Sequence, residues 1–286
     1  MRALVRLAVG VGVLVGIVAI GLVGLRTYLS SDSAKRQLEQ KLGAFMGARV
    51  KVDKLDAGPT STTFNLSVYE PAGTAEGTEP LISVERVETD LTLLDLARGD
   101  TMPRRVKLIR PHLKLHYDRL GNSLSSLPQP PAFDPDDLPE EVTVEDGSLT
   151  LVREGSPDFQ LTGVTALLRR KRAEGVFTAG LHVADGELSG SGKFDLGAEP
   201  LRMQLKLSAR SIAVSQLPQN SLLPPGLTGK LDGHADVDIV VNESGTEIHG
   251  DGEAIATQPA MAGRPVQRIK LKLVNSQGRF RFEKDE

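Results

Sequence analysis

The chain has 286 residues, a formal net charge of −3 and 4% aromatic residues, with no tryptophan and no cysteine. The near-neutral charge and the shortage of aromatic rings argue against a nucleic-acid partner, because such binding needs a basic surface or stacking platforms for the bases. The lack of cysteine excludes a disulfide framework, a thiolate metal site and a cysteine nucleophile.

An uncharged apolar run fills residues 7–25. A helix of this length can cross about 30 Å of hydrocarbon. A cleaved signal peptide is the alternative, but the run exceeds the usual apolar region of such a peptide and no A-x-A site follows it. We therefore predict a single transmembrane anchor at residues 7–25, behind a short cytoplasmic tail at residues 1–6.

The juxtamembrane segment, residues 26–47, contains a pattern typical of a short amphipathic helix over residues 31–47. Apolar residues recur at near-helical spacing, and Ser or Asp side chains at the start can cap the first turn. Gly47 stands where a left-handed residue would end the helix. We expect this helix to cover the first edge of whatever follows it.

After residue 47 the apolar residues alternate with polar ones, which is typical of strands with one apolar face. Glycine-containing turns separate successive runs and indicate hairpins. We predict about 13 strands and no long helix. A Pro/Asp-rich linker at residues 128–141 separates an N-terminal β region, residues 48–127, from a C-terminal β-repeat region, residues 142–286.

One polar and one apolar side characterise the stretch of residues 107–117. The alternation places Ile109, Pro111, Leu113, Leu115 and Tyr117 on one face. The opposite face carries His112 and His116, whose separation along a strand, about 13 Å, is too large for one metal ion. Because Pro111 cannot donate a ladder hydrogen bond, we expect a bulge or an unpaired edge there.

Two architectures satisfy this pattern. The fold class is mainly β in both: an extended, curved antiparallel sheet that forms an apolar groove, or a closed β-sandwich that buries the apolar faces. Thirteen strands in one sheet would extend about 60 Å, and open sheets of that size usually curl. The curved sheet is therefore our prediction, and the sandwich stays the alternative.

Three segments follow the anchor in order: "LGAFMGARVKVDKL", "PLISVERVETDLTLLDLARGD" and "RRVKLIRPHLKLHYDRLGNSLSSL". This succession, over residues 1–127, resembles the N-terminal region of the AsmA-like family, which includes TamB-type proteins. The remainder is similar in style, with glycine-punctuated strands such as "LTGKLDGHADVDIVV".

The resemblance implies a protein of the bacterial inner membrane with a periplasmic β body. The cytoplasmic N-terminus is predicted from Arg2 and Arg6, which precede the apolar run. It implies movement of phospholipid along an apolar groove, as in bridge-like lipid-transfer proteins, in support of outer-membrane integrity. The expected partners are phospholipids and the inner membrane, with other envelope proteins left open. Since the chain is short for a complete bridge, we expect it to act with a partner, to span part of the distance or to be truncated.

We predict no enzymatic activity, no cofactor, no metal and no catalytic residue. The candidate lipid-facing residues come from the alternating strands: Leu91, Leu93, Ile109, Leu113, Leu115, Leu149, Leu151, Leu205, Leu207, Val237 and Ile239. A membrane-tethered scaffold with a closed, dry sheet is the alternative function, and an envelope hydrolase is the weakest. The basic run "LLRRKR" at residues 167–172 is either a lipid-headgroup contact or a solvated turn.

Overall fold

The computed structural model describes residues 32–70, 79–98, 103–120, 122–126, 139–195, 197–217, 226–242, 245–261, 264–265, 269–276 and 279–284. The predicted tail and anchor, residues 1–25, and most of the predicted linker lie outside the described residues. Within the described part of the chain, no helix combines the length and the apolar composition needed to cross a bilayer.

The described elements are mostly strands. Two α-helices, α1 (Asp32–Met46) and α2 (Leu93–Arg98), and one 3₁₀ turn (Val214–Gln216) accompany them. The strands are β1 (Arg49–Ala57), β2 (Thr62–Tyr69), β3 (Ile82–Thr89), β4 (Arg105–Tyr117), β5 (Glu141–Arg153), β6 (Phe159–Lys171), β7 (Glu174–Val183), β8 (Gly186–Asp195), β9 (Leu201–Ala213), β10 (Leu227–Asn242), β11 (Gly245–Met261), β12 (Arg264–Pro265), β13 (Ile269–Ser276) and β14 (Arg279–Lys284).

All fourteen strands belong to one sheet, in which strands follow one another in chain order and β12 pairs with β11 beside the main path. This confirms the mainly β fold. The path begins at β1 and ends at β14 without joining its ends, so the alternative of a closed β-sandwich is wrong. The expectation of a wholly antiparallel sheet is also wrong, because β4 and β5 pair in parallel.

The parallel pair has a simple origin in the connection between the two strands. Antiparallel neighbours need only a tight turn, whereas a parallel neighbour needs a chain that returns to the far end of the first strand. Residues 118–140, which include most of the proline-rich linker, make that return between β4 and β5. The linker predicted between two β regions therefore joins two adjacent strands of one sheet.

Helix α1 is the helix predicted over residues 31–47, and it lies on the first edge of the sheet as expected. Gly47, with φ of 64°, ends it in the left-handed conformation. Leu38 and Leu42 pack against a buried cluster, and the Glu39 carboxylate accepts the Val52 N–H at 2.8 Å. The cluster comprises Val50, Val52, Leu55, Phe64, Val68, Val84 and Val87.

Several strands contain a residue with a left-handed backbone conformation. Residues other than glycine adopt left-handed φ angles within strands β1, β4, β5, β9 and β11, at Lys54, Arg110, Asp146, Ser211 and Gln258. In β1, β5, β9 and β11 the ladder register shifts at that residue, which adds a residue to the strand and changes the face of the side chains after it. In β1 the buried positions change accordingly from Val50 and Val52 to Leu55 and Ala57. The bulge or unpaired edge expected at Pro111 is not found: β4 keeps a one-to-one register with β3 and β5, and the irregularity is the left-handed residue Arg110 before the proline.

Candidate functional site

One face of the sheet, called here the apolar face, carries the buried cluster under α1 and continues beyond it. A row of residues paired in register crosses ten strands, β2 to β11: Phe64, Val87, Leu108, Val144, Ala166, Ala179, Gly190, Leu207, Ala235 and Gly252. Every member is apolar or glycine. Nine steps of about 4.8 Å give the row a length of about 43 Å.

Some apolar residues beside this row are well shielded, although all described strands lie in the same sheet and no second sheet covers them. Phe194, Val237 and Ala254 are only 8%, 9% and 8% exposed. On the opposite side, called here the outer face, Val176 is 49% exposed. The shielding is uneven, since Leu207 in the row itself is 37% exposed and Thr150 on the outer face is only 6% exposed. The two faces therefore differ consistently in polarity rather than in exposure.

Glycines on the apolar face stand where neighbouring backbones come close. A Cβ on Gly252 would lie 2.5 Å from the carbonyl oxygen of His234 on β10, and a Cβ on Gly192 would meet the carbonyl oxygen of Gln204 on β9. Real Cβ atoms do not approach backbone oxygens this closely, so only glycine fits at these two positions.

Most of the predicted lipid-facing residues lie together on this face. In the first half of the sheet, Leu113 pairs with Leu149 and Leu115 with Leu151 in the parallel β4–β5 ladder. In the second half, Leu205 pairs with Val237, Leu207 with Ala235, and Ile239 with Met203. Cross-strand neighbours thus bring residues distant in sequence into two apolar patches, which the ten-residue row connects.

Ile109 was predicted to face lipid, but it does not lie on the apolar face. It lies between Arg86 on β3 and Glu145 on β5, both exposed, and so faces the outer side with Lys107. The left-handed residue Arg110 separates it from Leu113, and the residues that take its place on the apolar side are Val106 and Leu108, which pack against the buried cluster. Through Pro111 the sequence indicated a bulge or an unpaired edge, but not the change of face at Arg110.

The prediction that Leu91 and Leu93 face lipid from a strand is also wrong, because neither residue lies in the sheet. Strand β3 ends at Thr89, and Leu93 begins α2. The Leu91 carbonyl accepts the Thr62 hydroxyl at 2.8 Å, while Thr92 and Asp95 cap the helix reciprocally. The T-x-x-D spacing of that capping box was a signal in the sequence that could have located the helix.

The outer face of β3–β5 carries a ladder of ion pairs. Lys107 contacts Glu145 at 2.8 Å, Lys114 contacts Glu79 at 2.6 Å, and Arg110 contacts Glu85. The hydrogen bond and charge of Lys114 lower the pKa of Glu79, and the hydrogen bond with Arg110 lowers the pKa of Glu85. These strands therefore present a charged surface to water on the side opposite the apolar row.

Two histidines of β4, His112 and His116, lie on the same outer face and have serine partners. His112 Nδ1 lies 2.8 Å from the Ser148 hydroxyl, and the Ser125 hydroxyl accepts the backbone N–H of His116. Among the described residues, no group of three or more histidine, aspartate or glutamate side chains is arranged to hold a metal ion.

Comparison with known proteins adds no relative to this description. No protein-family model matches the chain, and no curated protein or solved structure matches it either.

Proposed function

We propose that the chain handles or transports phospholipid by holding acyl chains along the apolar face of its sheet. The observation that carries the proposal is the ten-residue apolar row, which has no polar side chain from Phe64 to Gly252. Each CH₂ moved from water to such a surface contributes about 0.8 kcal/mol. Headgroups would stay in water at the rim, so the task needs no catalytic chemistry and we propose no enzymatic activity.

A groove rather than a flat plane is part of this proposal. When strands curve toward their apolar face, neighbouring side chains shield one another without a second sheet, as the low exposure of Val237 requires. Curvature also brings neighbouring backbones together on the concave side, which agrees with the close approach at Gly192 and Gly252. We propose that β4 to β11 curve around acyl chains, with the charged outer face in water.

We also propose a cellular location and partners for the chain. The apolar run at residues 7–25 would anchor the chain in the bacterial inner membrane, with the N-terminus cytoplasmic and the β body in the periplasm. The resemblance of residues 1–127 to AsmA-like proteins supports this arrangement and a role in outer-membrane integrity. Phospholipids and the inner membrane would be the partners, and other envelope proteins would complete a route longer than this sheet.

A photo-crosslinking pair tests the proposal within a single strand. A photoreactive phenylalanine replaces Ile239 on the apolar face of β10 in one variant and Asp238 on the outer face in the other, in the full chain expressed in bacteria. We expect phospholipid adducts from position 239 and none from position 238, because the two side chains point to opposite faces.

The alternative function, a tethered scaffold, predicts a different result. A scaffold would bury the apolar face against another protein, so position 239 would yield protein adducts and no lipid. That outcome would contradict lipid handling.

A further inference from the structure

A depression on the outer face, near the end of strands β6–β9, lies away from the apolar row. Its volume is 610 Å³, within the range of small-ligand sites. Two register rows define it: Arg169, Val176, Lys193 and Gln204 in one, and Lys171, Glu174, Asp195 and Arg202 in the other. Residues from four strands and from distant parts of the sequence therefore converge there.

The lining is strongly cationic. On the outer face it contains four arginine or lysine side chains and two carboxylates, an excess of two positive charges in a chain whose net charge is −3, while the register places Arg170 on the other face with Gly175. Val176, half exposed at the centre, provides an apolar floor between Arg169 and Lys193. This is a local reversal of the overall charge, and it points to an anionic ligand.

Part of this charge is already committed to the fold. Arg169 contacts the Glu141 carboxylate at 2.8 Å, and Arg170 donates to the carbonyls of Pro139 and Arg172. These contacts fix the β6 side of the depression. In the basic run at residues 167–172, Arg169 and Arg170 are therefore bonded within the fold, whereas Lys171 is available to a ligand.

Three cations remain directed at the depression. Within the described residues, Lys171, Lys193 and Arg202 form no ion pair, although Glu174 and Asp195 are their neighbours in register. Asp195 instead accepts the Gly197 N–H at 2.9 Å. Lys193 and Arg202 are diagonal neighbours on adjacent strands, about 7 to 8 Å apart at Cα, so their longer side chains can reach one ligand together.

We propose that this depression binds a phosphate group, with Lys171, Lys193 and Arg202 as its donors. A guanidinium and ammonium groups match phosphate oxygens through charge-assisted hydrogen bonds. The group could belong to a phospholipid headgroup or to free phosphate. The site lies on the opposite face from the proposed groove, so its test can succeed or fail independently of acyl-chain binding.

Calorimetric titration of the full chain, purified in a mild non-ionic detergent, tests the proposal with two probes. Inorganic phosphate represents the free ligand, and water-soluble dihexanoyl phosphatidic acid represents a headgroup. The Lys193→Gln/Arg202→Gln variant should weaken binding about tenfold or more, as expected when two charged contacts are lost. The matched control, Arg210→Gln/Lys230→Gln, makes the same charge change on the outer face away from the depression and should change the affinity less than about twofold.

The outcomes separate the sources. Binding of both probes that the first variant abolishes assigns a general phosphate site, whereas binding of phosphatidic acid alone, abolished in the same way, assigns a headgroup site. A Lys193→Arg/Arg202→Lys variant should retain binding in either case. No binding of either probe, or equal weakening in the two glutamine variants, overturns the proposal.

Discussion

Adding one methyl group at Gly252 should destabilise the sheet, although glycine is usually the less favourable residue in a strand. A Cβ at this position would stand 2.5 Å from the carbonyl oxygen of His234 and 2.8 Å from the Cβ of Ala235. Both neighbours belong to the rigid ladder between β10 and β11, so neither can move aside as a flexible side-chain end would.

The expected magnitude follows from two opposing effects. Overpacking of this kind costs about 1 to 3 kcal/mol, since the backbones must separate by several tenths of an ångström. The reduced freedom of alanine in the unfolded chain offsets about 0.4 to 1 kcal/mol of that cost. We therefore expect Gly252→Ala to lower the free energy of unfolding by about 1 to 2 kcal/mol, or the melting temperature by about 2 to 8 °C.

Thermal unfolding followed by circular dichroism measures this effect, with Gly180→Ala as the matched control. Gly180 lies on the outer face of β7, and a Cβ there would meet the Thr165 hydroxyl at an ordinary contact distance of 3.4 Å. The control should be neutral or slightly stabilising. Equal melting temperatures for the two alanine variants would refute the close approach of strands on the apolar face.

Three further predictions concern the buried cluster, the outer ladder and the sheet edge. Val68→Ala, at a fully buried residue, should cost about 2 to 3 kcal/mol in urea unfolding, whereas Val176→Ala on the outer face should cost less than about 0.5 kcal/mol. The lowered pKa of Glu79 means that its contribution to stability is present above the ordinary carboxyl pKa of 4.5 and is lost as pH falls through the folded value. Glu79→Gln should therefore show a weaker fall in melting temperature on acidification than wild type. Glu39→Ala should cost about 1 kcal/mol because it leaves the Val52 N–H of the edge strand without its acceptor, and Glu39→Gln should recover most of that loss.

The alternation of apolar residues predicted the mainly β fold and most of the apolar face, because a period of two fixes which side chains share a side. The glycine that follows the helical pattern predicted the end of α1 at Gly47. The alternation failed at Ile109, where Arg110 adopts a left-handed φ that its residue type does not announce. Such an irregularity depends on the packing of neighbouring strands, which a single sequence does not display.

The parallel pairing of β4 and β5 was not predicted from the sequence, for a different reason. The long connection was recognised as a linker, but its length was not connected with strand direction. A connection of residues 118–140 between two strands, where the other predicted turns are short, favours a return crossing over a hairpin. The sequence also did not indicate that Lys193 and Arg202 line one depression with Lys171, since only the combined register of β6 to β9 places the three residues there.

We propose that the apolar face holds phospholipid, and native mass spectrometry of the full chain can count the lipids that it retains. The measurement compares wild type with a pair of variants of β9. Leu205→Arg places a charge on the apolar face, and Gln204→Arg places the same charge on the outer face one residue away. We expect bound phospholipid in wild type and Gln204→Arg, and its loss in Leu205→Arg. Absence of phospholipid from wild type, or equal retention in both variants, would contradict it.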